Sequence, residues 1–138
     1  DQLGLNQQVQ VVQGDLFTSL SGKGLEGSID VIVCNPPYIS QGKLASELAL
    51  LTSHEPKEAF DGGPYGLSIH QRVVKDALPF LKPGGTLLFE IGVGQDRQVK
   101  VLFDRVKAYE DIRTLSNPAG QIRVILGQKI SKMLQNAC

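Results

Sequence analysis

The chain has 138 residues, a length that corresponds to about one domain. Its 14 Lys and Arg residues balance 14 Asp and Glu residues, so the basic excess typical of duplex-binding domains is missing. We find no run of the roughly 18 apolar residues that a membrane-spanning helix needs, and no signal-peptide pattern. The two cysteines, Cys34 and Cys138, make no disulfide framework. These properties favour a cytoplasmic domain that binds neither nucleic acid nor membranes.

The first part of the chain predicts two strands separated by a polar, glycine-rich segment. Residues 9–12 alternate and are rich in valine, which predicts a strand that ends at Gly14. Residues 18–28 predict a weak helix or a loop. Ile29–Cys34 is almost entirely apolar, which predicts a strand buried on both faces within a parallel sheet.

The middle of the chain predicts a long loop and then a helix. Residues 39–66 are mostly irregular and include a short helix candidate at residues 44–51, and a loop of that length is usually functional. Helical spacing of apolar residues begins at Leu67. Pro79 should kink or end that helix, and Pro83 with the two glycines after it should stop it.

The last part predicts a strand, a helix and a pair of strands. Residues 86–91 form the strand, and an apolar stripe predicts a helix of about three turns through Val99, Leu102, Phe103 and Val106. Residues 111–115 and 122–126 predict two strands joined by a turn at residues 117–120. The alternation predicts an α/β fold whose sheet is mostly parallel with an antiparallel edge.

The most informative motif is Asn35-Pro36-Pro37-Tyr38, which directly follows the predicted strand Ile29–Cys34. Asn35 offers a side-chain carbonyl, and Pro37 restricts Pro36 to an extended conformation, so that the Pro36 carbonyl becomes a second acceptor. Tyr38 adds a flat face with a polar tip. Two acceptors and one aromatic ring suit an amino group on an sp² carbon, as in adenine, cytosine, asparagine or glutamine.

A second candidate site is Asp15-Leu16-Phe17, after the first predicted strand. The Asp15 carboxylate could accept a hydrogen bond from an adenine amino group, while Leu16 and Phe17 form an apolar wall for the ring. The alternative is that Asp15 caps a helix.

Glu90-Ile91-Gly92-Val93-Gly94 resembles part of a nucleotide-binding loop, but Gln95 and Asp96 occupy the region where a third glycine is expected. We therefore favour a strand–helix turn near the pocket. His54 and His70 have no metal-ligand spacing, so we predict surface or loop histidines and no metal site.

Several segments in this order resemble the HemK-type release factor glutamine methyltransferases, over about residues 9–127. The segments are Asn35-Pro36-Pro37-Tyr38-Ile39, Glu55-Pro56, Asp61-Gly62-Gly63, Gly66-Leu67, Leu81-Lys82-Pro83-Gly84-Gly85, Glu90-Ile91-Gly92 with Gln95, and Arg123-Val124. The resemblance implies a Rossmann-like class I methyltransferase fold that moves a methyl group from S-adenosylmethionine to a glutamine amide of a peptide chain release factor. The roles of Glu55, Glu90 and Asn117 stay open.

The resemblance also implies roles for single residues. Asn35 and the Pro36 carbonyl would bind the target amide, with Pro37 and Tyr38 completing the substrate site. Asp15 and Leu16 would lie at the adenosine end of the cofactor, and Asn35 near its reactive methyl group.

The family's glycine-rich cofactor loop and first strands would precede Asp1, so residues 1–138 are expected to form a partial methyltransferase domain. On this view residues 1–20 are disordered, displaced or exchanged between two chains in a dimer, and cofactor affinity is weak. Two alternatives remain. One is a nucleic-acid amino-methyltransferase whose cofactor loop is the segment from Glu90 to Gly94; the other is a truncated, inactive domain.

Overall fold

The computed structural model describes residues 4, 5, 7–39 and 66–131. The predicted helix at 44–51, nearly all of the predicted loop at 39–66, and His54 lie outside these residues. In chain order the elements are a 3-10 helix at Leu16–Leu20, β1 at Ile29–Cys34, α1 at Ser68–Asp76, β2 at Leu81–Glu90, α2 at Asp96–Val106, β3 at Tyr109–Ser116 and β4 at Ile122–Lys129. None of the helices within these described ranges has the length and apolar character needed to cross a membrane.

The four strands form one mixed sheet in the order β1-β2-β4-β3. β1 and β2 are parallel, with Cys34 opposite Phe89. β4 runs antiparallel to both of its neighbours, β2 and β3. The α/β class and the antiparallel edge are therefore confirmed, while one of the three described strand pairings is parallel. Parallel pairing brings the carboxyl ends of β1 and β2 to the same side of the sheet.

β1 has the predicted bounds, but the prediction that both of its faces are buried is wrong. Ile32 is buried, whereas Val31 and Val33 are 53% and 70% exposed. The reason is that β1 packs the face with Ile32 against the core, while the opposite face with Val31 and Val33 stays largely exposed. An apolar sequence therefore marked a strand without fixing how many of its faces are covered.

The strand predicted at residues 9–12 is also wrong, because these residues form no helix or strand. Val9 is 54% exposed and Val11 is 92% exposed. A strand needs a neighbour that takes up its backbone hydrogen bonds, and β propensity alone does not replace that neighbour. The 3-10 helix at Leu16–Leu20 overlaps only the start of the segment 18–28 predicted as a weak helix or loop. Its Phe17 stacks on Phe80 with ring centroids 5.6 Å apart.

The helices follow the predicted apolar spacing. α1 ends at Asp76, ahead of Pro79, and buries Val73 and Val74; α2 buries Val99, Leu102 and Phe103. β2 begins at Leu81, five residues before the predicted start at Thr86. The pairing of β1 and β2 has an irregularity between Ile29 and Val31, opposite the segment where Pro83 lies, and proline is tolerated at such irregularities.

Aromatic rings connect the sheet to the helices. Phe89 of β2 stacks on Phe103 of α2 with centroids 5.7 Å apart, and Tyr109 of β3 meets Phe103 edge-on at 4.9 Å. The Tyr109 hydroxyl donates to the Val74 carbonyl at 2.8 Å, and burial raises the pKa of this hydroxyl. All of these residues belong to one buried cluster under both helices.

The predicted turn between β3 and β4 is confirmed. The Asn117 side-chain oxygen accepts hydrogen bonds from the backbone N–H groups of Ala119 and Gln121, each at 3.0 Å. Gly120 has a φ of 77°, a value that glycine adopts without steric cost. Asn117 therefore stabilises the hairpin turn.

Candidate active site

The tetrapeptide Asn35-Pro36-Pro37-Tyr38 leaves the carboxyl end of β1 without joining a helix or strand. Asn35 is exposed, Pro36 is buried, and Tyr38 is half-buried. Ligands of open α/β sheets bind at this end of the strands. Among the hydrogen bonds between residues within 7–39 and 66–131, none is accepted by the Asn35 side-chain oxygen or by the Pro36 carbonyl.

The Tyr38 hydroxyl is held by an ion pair from two other strands. It donates to Glu90 Oε1 at 3.1 Å and accepts from Arg123 Nη2 at 2.9 Å. Arg123 also donates directly to Glu90. The guanidinium carbon lies 5.6 Å from the centroid of the Tyr38 ring, within the range of a cation–π contact. The hydrogen bond to Glu90 raises the pKa of Arg123, so this side chain stays charged.

The backbone of Tyr38 is held as well. Gln95 Nε2 donates to the Tyr38 carbonyl at 3.0 Å, and Gln95 Oε1 accepts from the Gly92 backbone N–H at 2.8 Å. A side chain on Gly66 would overlap with the Tyr38 carbonyl oxygen, so that position needs glycine. The segment between β2 and α2 is a strand–helix turn, and its Gly92 amide is occupied by Gln95.

His70 lies next to the backbone of two residues of this region, Gly66 and Glu90. It is fully buried, so the prediction of a surface or loop histidine is wrong for it. Nδ1 lies 3.1 Å from the Gly66 carbonyl and Nε2 lies 3.3 Å from the Glu90 carbonyl, while the ring packs 5.2 Å from Phe89. Burial lowers the pKa of His70, against the effect of the two carbonyls.

Asp15 lies apart from the tetrapeptide and contacts α1. Its carboxylate accepts a hydrogen bond from Arg72 Nη2 at 2.7 Å, which lowers the pKa of this carboxyl. The Thr18 hydroxyl bonds the backbone of Asp15 through both its N–H and its carbonyl. The Asp15 carboxylate is therefore paired with the Arg72 guanidinium.

A cavity of about 410 Å³ lies between β1 and the 3-10 helix. Leu16, Phe17 and Leu20 line one side, and Val31 and Val33 line the other. This apolar lining suits a flat ring such as adenine, and Leu16 is part of it. Neither Asp15 nor the tetrapeptide lines the cavity. The apolar lining therefore offers contacts to a flat ring, while the polar side chains of Asp15 and Asn35 lie outside the cavity.

Sequence reasoning missed how Glu90, Gln95 and Arg123 act together. Arg123 lies between Ile122 and Val124 on β4, and a charged residue between apolar strand residues is a usable signal of a specific partner. Its partner, 33 residues away along the chain, follows only from the strand pairing. Among residues 7–39 and 66–131 there is no group of three or more His, Cys, Asp or Glu residues that could hold a metal ion.

Curated proteins similar to this chain include several that are named as glutamine methyltransferases. The release factor glutamine methyltransferase of Gloeobacter violaceus is 34% identical over 126 residues, which cover 91% of this chain and 43% of that protein. The enzyme of the same name from Moorella thermoacetica is 39% identical over 127 residues, with 92% and 43% covered. The ribosomal protein uL3 glutamine methyltransferase of Neisseria gonorrhoeae is 41% identical over 96 residues, covering 67% of this chain and 29% of that protein.

A solved protein-(glutamine-N5) methyltransferase, release factor-specific, from Alicyclobacillus acidocaldarius aligns with a TM-score of 0.43 at 19% identity. It covers 78% of this chain and 84% of the solved chain. No family model matches. The chain spans about 43% of the length of the release factor enzymes from Gloeobacter and Moorella. Over the residues that match, this chain belongs to the release factor glutamine methyltransferase family of protein-glutamine methyltransferases.

Proposed function

We propose that the natural polypeptide that carries this sequence transfers a methyl group from S-adenosylmethionine to a glutamine side-chain amide of a peptide chain release factor. The observation that carries the proposal is the exposed Asn35 beside the buried Pro36, at the end of β1, with Tyr38 held next to them. The names of the similar proteins support a glutamine acceptor and favour neither the nucleic-acid nor the inactive alternative. Because release factors act on ribosomes, the proposed location is the cytoplasm.

The chemistry explains why two acceptors are needed. An amide nitrogen is a weak nucleophile, since its lone pair is delocalised into the carbonyl group. Asn35 and the Pro36 carbonyl each accept a hydrogen bond from one of its two N–H groups, which fixes the nitrogen and stabilises the positive charge that grows on it. Bound S-adenosylmethionine supplies an electrophilic methyl group on a positively charged sulfur.

The ring of Tyr38 completes the acceptor site. One of its faces is next to Arg123, so we assign the other face to the planar target amide. Its hydroxyl has its partners in Glu90 and Arg123. Tyr38 therefore contributes through its ring, and proton transfer is not assigned to its hydroxyl.

For the cofactor, we propose that Leu16 and Phe17 contact the adenine ring and that Asp15 binds a polar group of the adenosine. Asn35 then lies near the methyl group. Because Asp15 is paired with Arg72, the adenosine has to compete with a guanidinium for this carboxylate.

Parallel methylation assays test the proposal. The natural polypeptide is incubated with labelled S-adenosylmethionine and, separately, with a release factor, ribosomal protein uL3 and duplex DNA. We expect label in the release factor, located on a glutamine by mass spectrometry. Label in uL3 alone would overturn the release factor as substrate, and label in DNA alone would overturn protein methylation.

Binding of the donor is measured by calorimetric titration of the 138-residue chain with S-adenosylmethionine. The weak affinity expected from the sequence predicts a dissociation constant well above that of the natural polypeptide if the latter is longer. Tight one-to-one binding by the 138 residues would contradict that expectation. Sedimentation of the same sample distinguishes a monomer from the expected strand-exchanged dimer.

A further inference from the structure

Tyr38 is held at three separate points, although it belongs to a segment without regular secondary structure. Its hydroxyl bonds Glu90 and Arg123, its ring faces the guanidinium, and its carbonyl accepts from Gln95. We call Glu90, Gln95 and Arg123 the Tyr38 network. Its members come from the end of β2, the turn before α2, and β4.

The sheet itself sets the geometry of this network. Glu90 pairs with Val124 in the β2–β4 ladder, and the Ile91 N–H donates to the Arg123 carbonyl at 2.9 Å. The carboxylate and the guanidinium are therefore fixed by paired strands, while the tetrapeptide depends on side-chain contacts. Gly92 lets Tyr38 and Gln95 lie close to the backbone, because a Cβ atom at this position would lie 3.2 Å from Tyr38 Cδ2 and 2.9 Å from Gln95 Oε1.

The small contribution of the ion pair between Glu90 and Arg123 to the folding free energy argues that its main role is not stability. The side chains of Arg123 and Glu90 are 30% and 36% exposed, and pairs near the surface contribute only about 0–1 kcal/mol. A pair of that strength matters little for folding. The same pair, however, holds the aromatic ring of Tyr38 beside the proposed reaction site. It thereby fixes an orientation on which catalysis depends, since misplacing a group by 1 Å costs on the order of 100-fold in rate.

We propose that Glu90, Arg123 and Gln95 are positioning residues that fix Tyr38, and through it the spacing of the two amide acceptors at Asn35 and Pro36. This inference rests on the proposed methylation of a glutamine amide. None of the three residues needs to touch the substrate. The loss of any one lets the tetrapeptide move, while the sheet beneath it stays folded.

Kinetics of variants of the natural polypeptide test the network. Glu90→Gln keeps the size of the side chain and removes its charge, and Arg123→Gln removes the cation. We expect each to lower kcat about 10- to 100-fold with the KM for S-adenosylmethionine unchanged. Arg123→Lys restores the charge without the planar fork and should recover only part of the rate. Wild-type kcat in both Glu90→Gln and Arg123→Gln would overturn the proposal.

A matched control is the ion pair between Lys82 and Asp30, at 2.8 Å on the opposite end of β1. Asp30→Asn removes a lysine–carboxylate pair with side chains 46% and 76% exposed, at the other end of the strand from the tetrapeptide, and should leave kcat unchanged. A loss of rate in Asp30→Asn equal to that in Glu90→Gln would mean that the effect is a general one of folding, and it would overturn the positioning role.

A double-mutant cycle shows whether Glu90 acts through Tyr38. Tyr38→Phe removes the hydroxyl through which the two side chains are joined. We expect Glu90→Gln to lower kcat less than about twofold in the Tyr38→Phe background, because residues that act through one contact are not additive. Additive effects would contradict the proposed route.

A measurement that needs no activity separates this inference from the proposed function. Backbone ¹⁵N order parameters at Asn35, Tyr38 and Ile39 of the natural polypeptide are expected near 0.85, as in rigid backbone, and below about 0.6 in Glu90→Gln. If the wild type methylates no glutamine but the order parameters fall, the proposed function fails and the network stands. If methylation is observed and the order parameters do not change, the network fails alone.

Discussion

Among the described residues, two carboxylate–guanidinium pairs involve side chains of the proposed acceptor and donor sites, and their surroundings differ. Glu90 and Arg123 extend from paired strands and hold Tyr38, with side chains 36% and 30% exposed. Asp15 and Arg72 join a 3-10 helix to α1, with side chains 67% and 42% exposed. The first pair is fixed by a strand ladder, whereas the second connects two elements that do not share one. The same chemistry thus gives a contact fixed by the sheet at Tyr38 and a more exposed contact at the proposed donor end. We call the region around Tyr38 the acceptor end, because the glutamine amide is proposed to bind there.

The largest expected difference between the two regions is in core stability, and two phenylalanines make a matched pair. Phe89 is fully buried beneath the acceptor end, while Phe17 is half-buried in the 3-10 helix. We expect Phe89→Ala to lower the free energy of unfolding by about 3–5 kcal/mol and Phe17→Ala by about 1–2 kcal/mol. Urea denaturation measures both. Equal losses would remove the distinction between a rigid and a loosely held region.

The next effect concerns catalysis at the acceptor end. Asn35→Ala removes one of the two proposed acceptors and should lower kcat by roughly 100- to 1000-fold, as the loss of one oriented hydrogen bond does at other reaction sites. The fold should be unchanged by circular dichroism. Asn117→Ala is the control, because it weakens the β3–β4 turn and should lower the melting temperature without lowering kcat. Near-normal turnover in Asn35→Ala would refute the assignment.

Acid should weaken the acceptor end through His70. Burial places the pKa of His70 below its ordinary value of 6.5, so the unfolded chain binds a proton more readily than the folded chain. Stability is therefore complete above pH 6.5 and falls as the pH drops below it, by at most about 1.4 kcal/mol per pH unit for one proton. Denaturation at several pH values should show a shallower slope of unfolding free energy against pH in His70→Gln than in the wild type. Equal slopes would show that His70 does not cause the loss.

The smallest effect is expected at the exposed pair. Asp15→Asn should leave the urea midpoint unchanged, since exposed ion pairs contribute little to folding. If Asp15 binds the adenosine, the same substitution raises the dissociation constant for S-adenosylmethionine several-fold in calorimetric titration of the natural polypeptide. Arg72→Gln frees the carboxylate and should not weaken donor binding. An unchanged dissociation constant in Asp15→Asn would remove Asp15 from the donor site.

Much of the fold could be predicted from the sequence, because local periodicity is a property of the chain itself. The apolar spacing of α1 and α2 and the turn at residues 117–120 were all confirmed. The errors have a common cause. Residues 9–12 and the exposed face of β1 depend on which neighbours lie beside them, and His70 depends on what packs over its helix face.

The sequence by itself determined the family, through short segments in a particular order, and it located the tetrapeptide at the end of a strand. Only the tertiary structure decided what holds that tetrapeptide. Glu90 and Arg123 are 33 residues apart along the chain, and Arg123 is 85 residues from Tyr38. No local pattern encodes contacts at such separations, because they arise when antiparallel pairing of β2 and β4 brings the two side chains beside the carboxyl end of β1.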